Sequence, residues 1–215
     1  LYSTPAGKNT IVIVLADHGD GMGSHRMVTK QVSFYEEMTN VPFIIAGPGI
    51  HPRQKPVEDL LTQPTIDLLP TLCELAGIPV PSSKPGISLA PFLKGEKQKR
   101  QHPYAASEWH SEYEVTVSPG RMIRSPRYKY THYLEGNGEE LYDMLKDKGE
   151  RRNLAHDPKY SKILAEHRAL LDDYIRRTQD DYRSLKVEAD KRWRSHAPGY
   201  PNHEGPCARD IINRK

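Results

Sequence analysis

One stretch of sequence decides the fold: Asn9-Thr-Ile-Val-Ile-Val-Leu-Ala-Asp-His-Gly-Asp-Gly-Met-Gly-Ser-His-Arg-Met-Val-Thr-Lys30. Its residues 11–16 are all apolar, a pattern typical of a strand buried on both faces, as in a parallel sheet covered by helices. The run stops at Asp17, and glycines follow at positions 19, 21 and 23. Ligands of open α/β sheets bind just beyond the carboxyl ends of the strands. The stretch therefore predicts an α/β fold with a ligand site after this strand.

The loop after the strand concentrates groups that suit a metal ion or an anion. Asp17 and His18 end the strand, and Asp20, His25 and Lys30 follow within the same loop. The glycines between them allow the backbone to approach a ligand closely. Taken singly, Asp17 also suits a simple cap of the next turn, and the two histidines suit an ordinary loop. The clustering of all five groups favours a site.

The spacing of these residues resembles the second metal-binding segment of the type I sulfatases, which belong to the alkaline phosphatase superfamily. Further segments resemble the same family: Val41–Gly49 a core strand, Gln63–Ile78 the helix after it, and Gly86–Gly95, Glu140–Met144 and Glu150–Leu154 later family signatures. The resemblance extends over about residues 9–175, and its motifs are fairly specific. Within this family, the resemblance implies a bacterial glycan sulfatase.

The resemblance implies the C-terminal portion of an alkaline-phosphatase-like α/β sandwich, with a small antiparallel sheet packed by a long C-terminal helix. The sequence pattern agrees, because short tyrosine-rich segments between residues 104 and 142 are separated by turn residues, and a helical pattern runs from 157 to about 185. We expect residues 1–95 to form the C-terminal part of the catalytic domain. Residues 96–186 are expected to form a small α+β subdomain, and residues 187–215 a basic tail containing Gly and Pro.

The family's nucleophile segment is not found in this chain. Sulfatases carry a Cys-x-Pro-x-Arg or Ser-x-Pro-x-Arg motif whose first residue becomes formylglycine, and neither Cys73 nor Cys207 begins such a pattern. The family's first Asp-Asp metal pair is not found either. We therefore expect the chain to be the C-terminal part of a sulfatase. Its partner would be the N-terminal part of the same enzyme, which would carry formylglycine, and the chain alone would be inactive.

The resemblance assigns the metal ligands to Asp17 and His18. It implies a divalent cation, and Ca2+ is favoured because an Asp carboxylate offers the hard oxygen that calcium prefers. His18 stands where many sulfatases have Asn and others His. Since imidazole is a softer ligand, Mn2+ or Zn2+ is the alternative.

Four residues are expected to contact the substrate. By resemblance, Lys30 binds the sulfate and neutralises charge that develops in the transition state, and His25 approaches the substrate or orients Lys30. Trp109 and His110 fall where family members recognise the sugar. A packed Trp with a neighbouring His is the plainer interpretation of that pair.

The composition gives no sign of a membrane-spanning or a nucleic-acid-binding protein. Mean hydropathy is −0.73, the hydrophobic content is 36% and the formal net charge is +3. No apolar run has the length of a membrane span, and no nucleic-acid-binding motif accompanies the basic residues. Cys73 lies on the apolar face of a predicted helix and is expected to be a buried free thiol. A bridge between Cys73 and Cys207 stays open.

Three functions remain in competition. The leading prediction is hydrolysis of sulfate esters or sulfamates, on a sulfated sugar or glycosaminoglycan, by the enzyme that contains this chain. The second is a phosphodiester or phosphonate monoester hydrolase of the same superfamily. The third, from another class, is a noncatalytic glycan-binding module. The family resemblance also implies a periplasmic or secreted protein.

Overall fold

A computed structural model describes residues 1, 3–27, 33–53, 55, 57, 60–82, 85–96, 102–109, 119–134 and 138–185. Lys30, His110, Cys207 and the predicted tail lie outside the described residues. The chain divides into two compact units, the first comprising Leu1–Lys30 with Glu37–Ala105 and the second Gln31–Glu36 with Ala106–Lys215. The domain limits expected from the sequence stay a prediction.

The first unit contains a two-stranded sheet of β1 (Val12–Leu15) and β2 (Phe43–Ala46). The strands are antiparallel, with Val14 opposite Ile44. The expectation that β1 lies in a parallel sheet and is buried on both faces is therefore wrong for its described pairing. Val14 and Leu15 are 49% and 41% exposed. The apolar run encodes a strand, but it does not encode the direction of the neighbouring strand.

Helix α2 (Pro64–Ala76) confirms the helix predicted from this part of the sequence. Pro64 begins it, as suits a residue whose missing N–H would have no partner there. The buried carboxylate of Asp67 accepts hydrogen bonds from the backbone N–H groups of Gln63 and Ile87, at 2.7 and 2.9 Å. Gly77 ends the helix with a left-handed φ of 68°. Cys73 on this helix is a buried free thiol, as predicted.

The short helices α1 (Glu36–Thr39) and α3 (Ala90–Leu93) are the other α-helices that the structure describes before the second sheet. The boundary between the two units falls inside α1, between Glu36 and Glu37.

The second unit is built on a four-stranded sheet in the order β3-β4-β5-β6. Its strands are β3 (Ala105–Trp109), β4 (Gly120–Arg124), β5 (Tyr128–Tyr133) and β6 (Gly138–Asp143). Strand β5 is antiparallel to both β4 and β6. Helix α4 (Ser161–Thr178) packs against β4 and β5, and the buried core includes Ile123, Tyr130, Leu141, Leu164 and Leu171. The predicted small antiparallel sheet with a long C-terminal helix is confirmed.

Helix α4 is shorter than predicted. Gln179 adopts a left-handed conformation with φ 56° and closes the helix, whereas the sequence pattern extended it to about residue 185. Across the described ranges, every helix is too short or too polar to cross a membrane.

Candidate functional site

The two predicted metal ligands lie directly after β1. The Asp17 side chain is 88% exposed and that of His18 is 40% exposed. Asp17 Oδ1 accepts a hydrogen bond from the backbone N–H of His18 at 3.0 Å, which turns the chain at the end of the strand. The carboxylate is thus presented to solvent beside the imidazole.

The hydrogen bond of His18 fixes the tautomer of its ring. Its Nδ1 lies 2.7 Å from the carbonyl oxygen of Gly19, which can only accept, so Nδ1 is the donor. A neutral ring then carries its lone pair on Nε2, as is usual for a metal-ligating histidine whose other nitrogen is hydrogen-bonded. His18 Nε2 lies 3.5 Å from Asp17 Oδ2. That separation fits two atoms that bind the same cation at about 2.0–2.4 Å each.

The described residues supply this pair and no larger group. Within the ranges that the structure describes, no set of three or more His, Cys, Asp or Glu side chains is arranged to hold a metal ion. The donor pair suits a divalent cation, and the cation itself stays a prediction.

At two positions of the loop, only glycine fits, because a side chain would clash with neighbouring atoms. A Cβ atom on Gly19 would lie 1.8 Å from the carbonyl oxygen of Glu37, and one on Gly21 would lie 2.3 Å from Cβ of Met27. The backbone N–H of Gly19 also donates to the carbonyl of Met38 at 2.9 Å. The residues around His18 are therefore packed directly against α1.

His25 is also held against α1. Its Nε2 lies 3.8 Å from Glu37 Oε2, and its side chain is 18% exposed. The backbone at His25 is left-handed, with φ 49° and ψ 26°, an uncommon conformation for a residue with a side chain. The sequence analysis did not single out Glu37. The adjacent acids Glu36 and Glu37 were the one signal in the sequence that could have drawn attention to it.

Trp109 ends β3 in the second unit and is partly buried. Its carbonyl accepts a hydrogen bond from Arg121 at 2.8 Å, whereas its buried Nε1 makes no hydrogen bond within the described structure. His110 and Lys30 lie outside the described residues. The roles predicted for these three residues stay predictions.

Comparison with known proteins shows which family this chain resembles. Residues 23–177 match the family model described as N-sulphoglucosamine sulphohydrolase, C-terminal. The chain is 77% identical over all 215 residues to the Delta 4,5-hexuronate-2-O-sulfatase of Bacteroides thetaiotaomicron.

Two solved structures are similar in fold as well as sequence. One is described as a 2-O GAG sulfatase, with 77% identity, a TM-score of 0.86 and 98% of this chain covered. The other is in complex with its substrate D-glucosamine-2-N,6-O-disulfate, with 26% identity, a TM-score of 0.71 and 83% of this chain covered. The chain spans 45% of the hexuronate sulfatase, 45% of the first structure and 37% of the second.

Proposed function

This chain belongs to the sulfatase family, and we propose that it supplies metal-binding and sulfate-binding groups to an enzyme that hydrolyses sulfate esters on sugars. The observation that carries the proposal is the adjacent pair Asp17 and His18, whose ligand atoms lie 3.5 Å apart at the end of β1. The loop that holds this pair is part of the segment that resembles the family's second metal-binding motif.

Asp17 and His18 would hold a divalent cation, for which calcium is the favoured identity and manganese or zinc the alternative. The bound cation would supply positive charge to a sulfate oxygen. Lys30 would place its ammonium against the same group, and His25 would contact the substrate or orient Lys30. Formylglycine, the family's nucleophile, would come from the N-terminal part of the enzyme.

We propose a sulfated uronic acid of a glycosaminoglycan as the substrate. Support comes from the relative that is 77% identical over the whole chain and is named for a 2-O-sulfated hexuronate. Trp109 and His110 are the proposed contacts to the sugar, because an aromatic ring and a polar group together suit a carbohydrate surface.

The remaining part of the enzyme is the proposed partner of the first unit. Val14 and Ile44 face the same side of the β1–β2 sheet and are 49% and 56% exposed. Neighbouring apolar side chains that are exposed on a sheet are typical of a surface that another part of a protein covers. We propose that the complete enzyme is periplasmic or secreted, as the family resemblance implies.

A substrate panel on the complete enzyme tests the proposed reaction. We expect turnover of 2-O-sulfated uronate disaccharides and of an aryl sulfate, with much slower turnover of phosphonate monoesters and phosphodiesters. A preference for the phosphorus substrates would contradict the proposal and favour a phosphodiester or phosphonate monoester hydrolase. Glycan binding without turnover of any ester would favour the noncatalytic module.

A substitution at Lys30 tests the proposed sulfate contact within the same assay. Lys30→Ala should lower turnover roughly 100-fold, the scale of losing one preorganised transition-state contact. Lys30→Arg should rescue only in part, because a planar guanidinium does not reproduce a compact ammonium. Lys8→Ala, at an exposed lysine of the first unit, is the matched control. Near-normal turnover in Lys30→Ala at unchanged Tm would remove Lys30 from the site.

A further inference from the structure

The second unit contains an open cleft of about 590 Å³ between its sheet and α4. Tyr130 and His132 of β5 line it, together with Leu134 just after that strand. These three residues alternate along the chain, so their side chains point to one face of the sheet. That face forms the base of the cleft.

Charged side chains form the walls of the cleft. Arg168 and Asp172 are four positions apart on α4 and therefore lie on one face of that helix. Glu139 of β6 is the register partner of His132, and Arg183 comes from the short turn that follows α4. Four elements of the same unit thus bring these groups together.

The carboxylate of Glu139 is held firmly at one wall. Its Oε1 accepts hydrogen bonds from the Tyr130 hydroxyl at 2.5 Å and from Arg168 Nε at 2.7 Å, and its Oε2 pairs with Arg168 Nη2. The hydrogen bonds from Arg168 lower the pKa of Glu139, which keeps the carboxylate ionised. The Arg168 guanidinium is therefore fixed in its orientation before any ligand binds.

The second ion pair of the cleft has capacity for further hydrogen bonds. Asp172 Oδ1 accepts from Arg183 Nη2 at 2.7 Å, and the two side chains are 58% and 48% exposed. The Arg168 side chain is 52% exposed. A carboxylate can accept about four hydrogen bonds and a guanidinium can donate five. Asp172 and both arginines therefore offer acceptors and donors to a molecule in the cleft.

The alternation of charges selects the class of that molecule. The charges of two guanidinium groups and two carboxylates cancel, so a free anion would meet carboxylates and a free cation would meet guanidinium groups. A neutral molecule with several hydroxyl groups suits both, because each hydroxyl donates one hydrogen bond and accepts others. The volume lies within the range of small-molecule sites, about 300–1,000 Å³, but those sites are mostly apolar. A polar cleft of this size suits a sugar.

We propose that this cleft is a second carbohydrate-binding site, in which Asp172, Arg168 and Arg183 bind the hydroxyl groups of a neutral sugar residue. All of its groups belong to the second unit, and none of them is part of the proposed sulfate site. Binding of one residue of a long glycan here raises the local concentration of the rest of that glycan at the enzyme. The inference does not depend on the proposed hydrolysis.

Titration of the complete enzyme with a neutral disaccharide, N,N′-diacetylchitobiose, tests the site by saturation-transfer NMR. Asp172→Ala removes an acceptor of the cleft, and Arg168→Met removes donors. Asp173→Ala and Arg176→Met are the matched controls, because these residues form an ion pair on the same helix and do not line the cleft. Tm is measured for all four variants.

We expect Asp172→Ala to raise the Kd for the disaccharide about 10-fold or more, the scale of losing a hydrogen bond to a charged group. Arg168→Met should weaken binding at least as much, because it also releases Glu139. Both controls should keep the wild-type Kd. Turnover of a 2-O-sulfated disaccharide should be the same in Asp172→Ala as in the wild type.

Three results would overturn the inference. The first is a wild-type enzyme that does not bind the disaccharide, and the second is an equal Kd in Asp172→Ala and Asp173→Ala. The third is displacement of the disaccharide by inorganic sulfate, which would indicate an anion site. All three are binding measurements, so an enzyme without turnover of any sulfate ester would overturn the proposed function and leave this test intact.

Discussion

The side chains of Asp17 and His18 differ in how strongly neighbouring residues fix them. His18 has its tautomer fixed by the Gly19 carbonyl, whereas the Asp17 carboxylate is 88% exposed and accepts a hydrogen bond from the next N–H. Because the Asp17 side chain is so exposed, its loss should affect ligand binding far more than folding.

We expect Asp17→Ala to abolish both metal retention and sulfate ester hydrolysis in the complete enzyme, because it removes a first anionic ligand. Glu74→Ala is the control, since Glu74 is an exposed acidic residue of α2 in the same unit. Elemental analysis after dialysis, beside Tm, measures the result. Full metal content in Asp17→Ala would show that another residue is the ligand.

A second residue prediction concerns Glu140, which is 3% exposed. Burial, and then the neighbouring Glu150, raise the pKa of Glu140 to about 7. The folded state thus keeps a proton that the unfolded chain releases near pH 4.5, so this residue's contribution to stability is fully present below pH 4.5 and is lost as the pH rises to about 7.

Glu140→Gln should therefore flatten the pH dependence of the unfolding free energy between pH 4.5 and 7, where one proton corresponds to about 1.4 kcal/mol per pH unit. Urea denaturation at several pH values measures it. Glu74→Gln, at an exposed residue of α2, should leave the slope as it is. An unchanged slope in Glu140→Gln would assign the proton to another group.

At the scale of elements, the second sheet depends on its contact with α4. Leu171 on α4 is fully buried, and Leu171→Ala should lower the unfolding free energy by about 2–5 kcal/mol. Leu145→Ala should change it by about 0.5 kcal/mol or less, since Leu145 is 66% exposed. Equal effects in denaturant unfolding would mean that α4 does not cover the core of this sheet.

Elements whose ends are marked by Pro or Gly in the sequence were predictable, and features that depend on distant contacts were not. Pro64 and Gly77 mark the ends of α2 in the sequence, and the structure confirms both. Gln179 ends α4 in a left-handed conformation that a glutamine does not signal. The antiparallel pairing of β1 with β2 depends on the path between them, which apolar periodicity does not record.

The same distinction separates the parts of the candidate site. Asp17, His18 and His25 stand in one loop, so their spacing alone predicted a site. The contact of His25 with Glu37 joins residues that are 12 positions apart. A single sequence contains no local signal for such pairs.

For the whole molecule, the proposed nucleophile belongs to another part of the enzyme, which the exposed side chains of Val14 and Ile44 would contact. We expect the 215-residue chain alone to show no turnover of an aryl sulfate and to gain it only with the rest of the enzyme. Replacing Val14 and Ile44 with serine should weaken that association, while the same change at Leu145 should not. Turnover by the pure isolated chain would contradict the assignment of the nucleophile to another part of the enzyme.

The reactivity of the buried Cys73 thiol measures how often α2 opens. At 5% exposure, its sulfur is out of reach of an alkylating reagent until α2 opens. In a Cys207→Ser background, the rate of iodoacetamide modification should therefore follow the opening equilibrium of that helix and rise with urea. Damage by oxidants should follow the same rule, so that Cys73 is attacked only in molecules that have already begun to unfold.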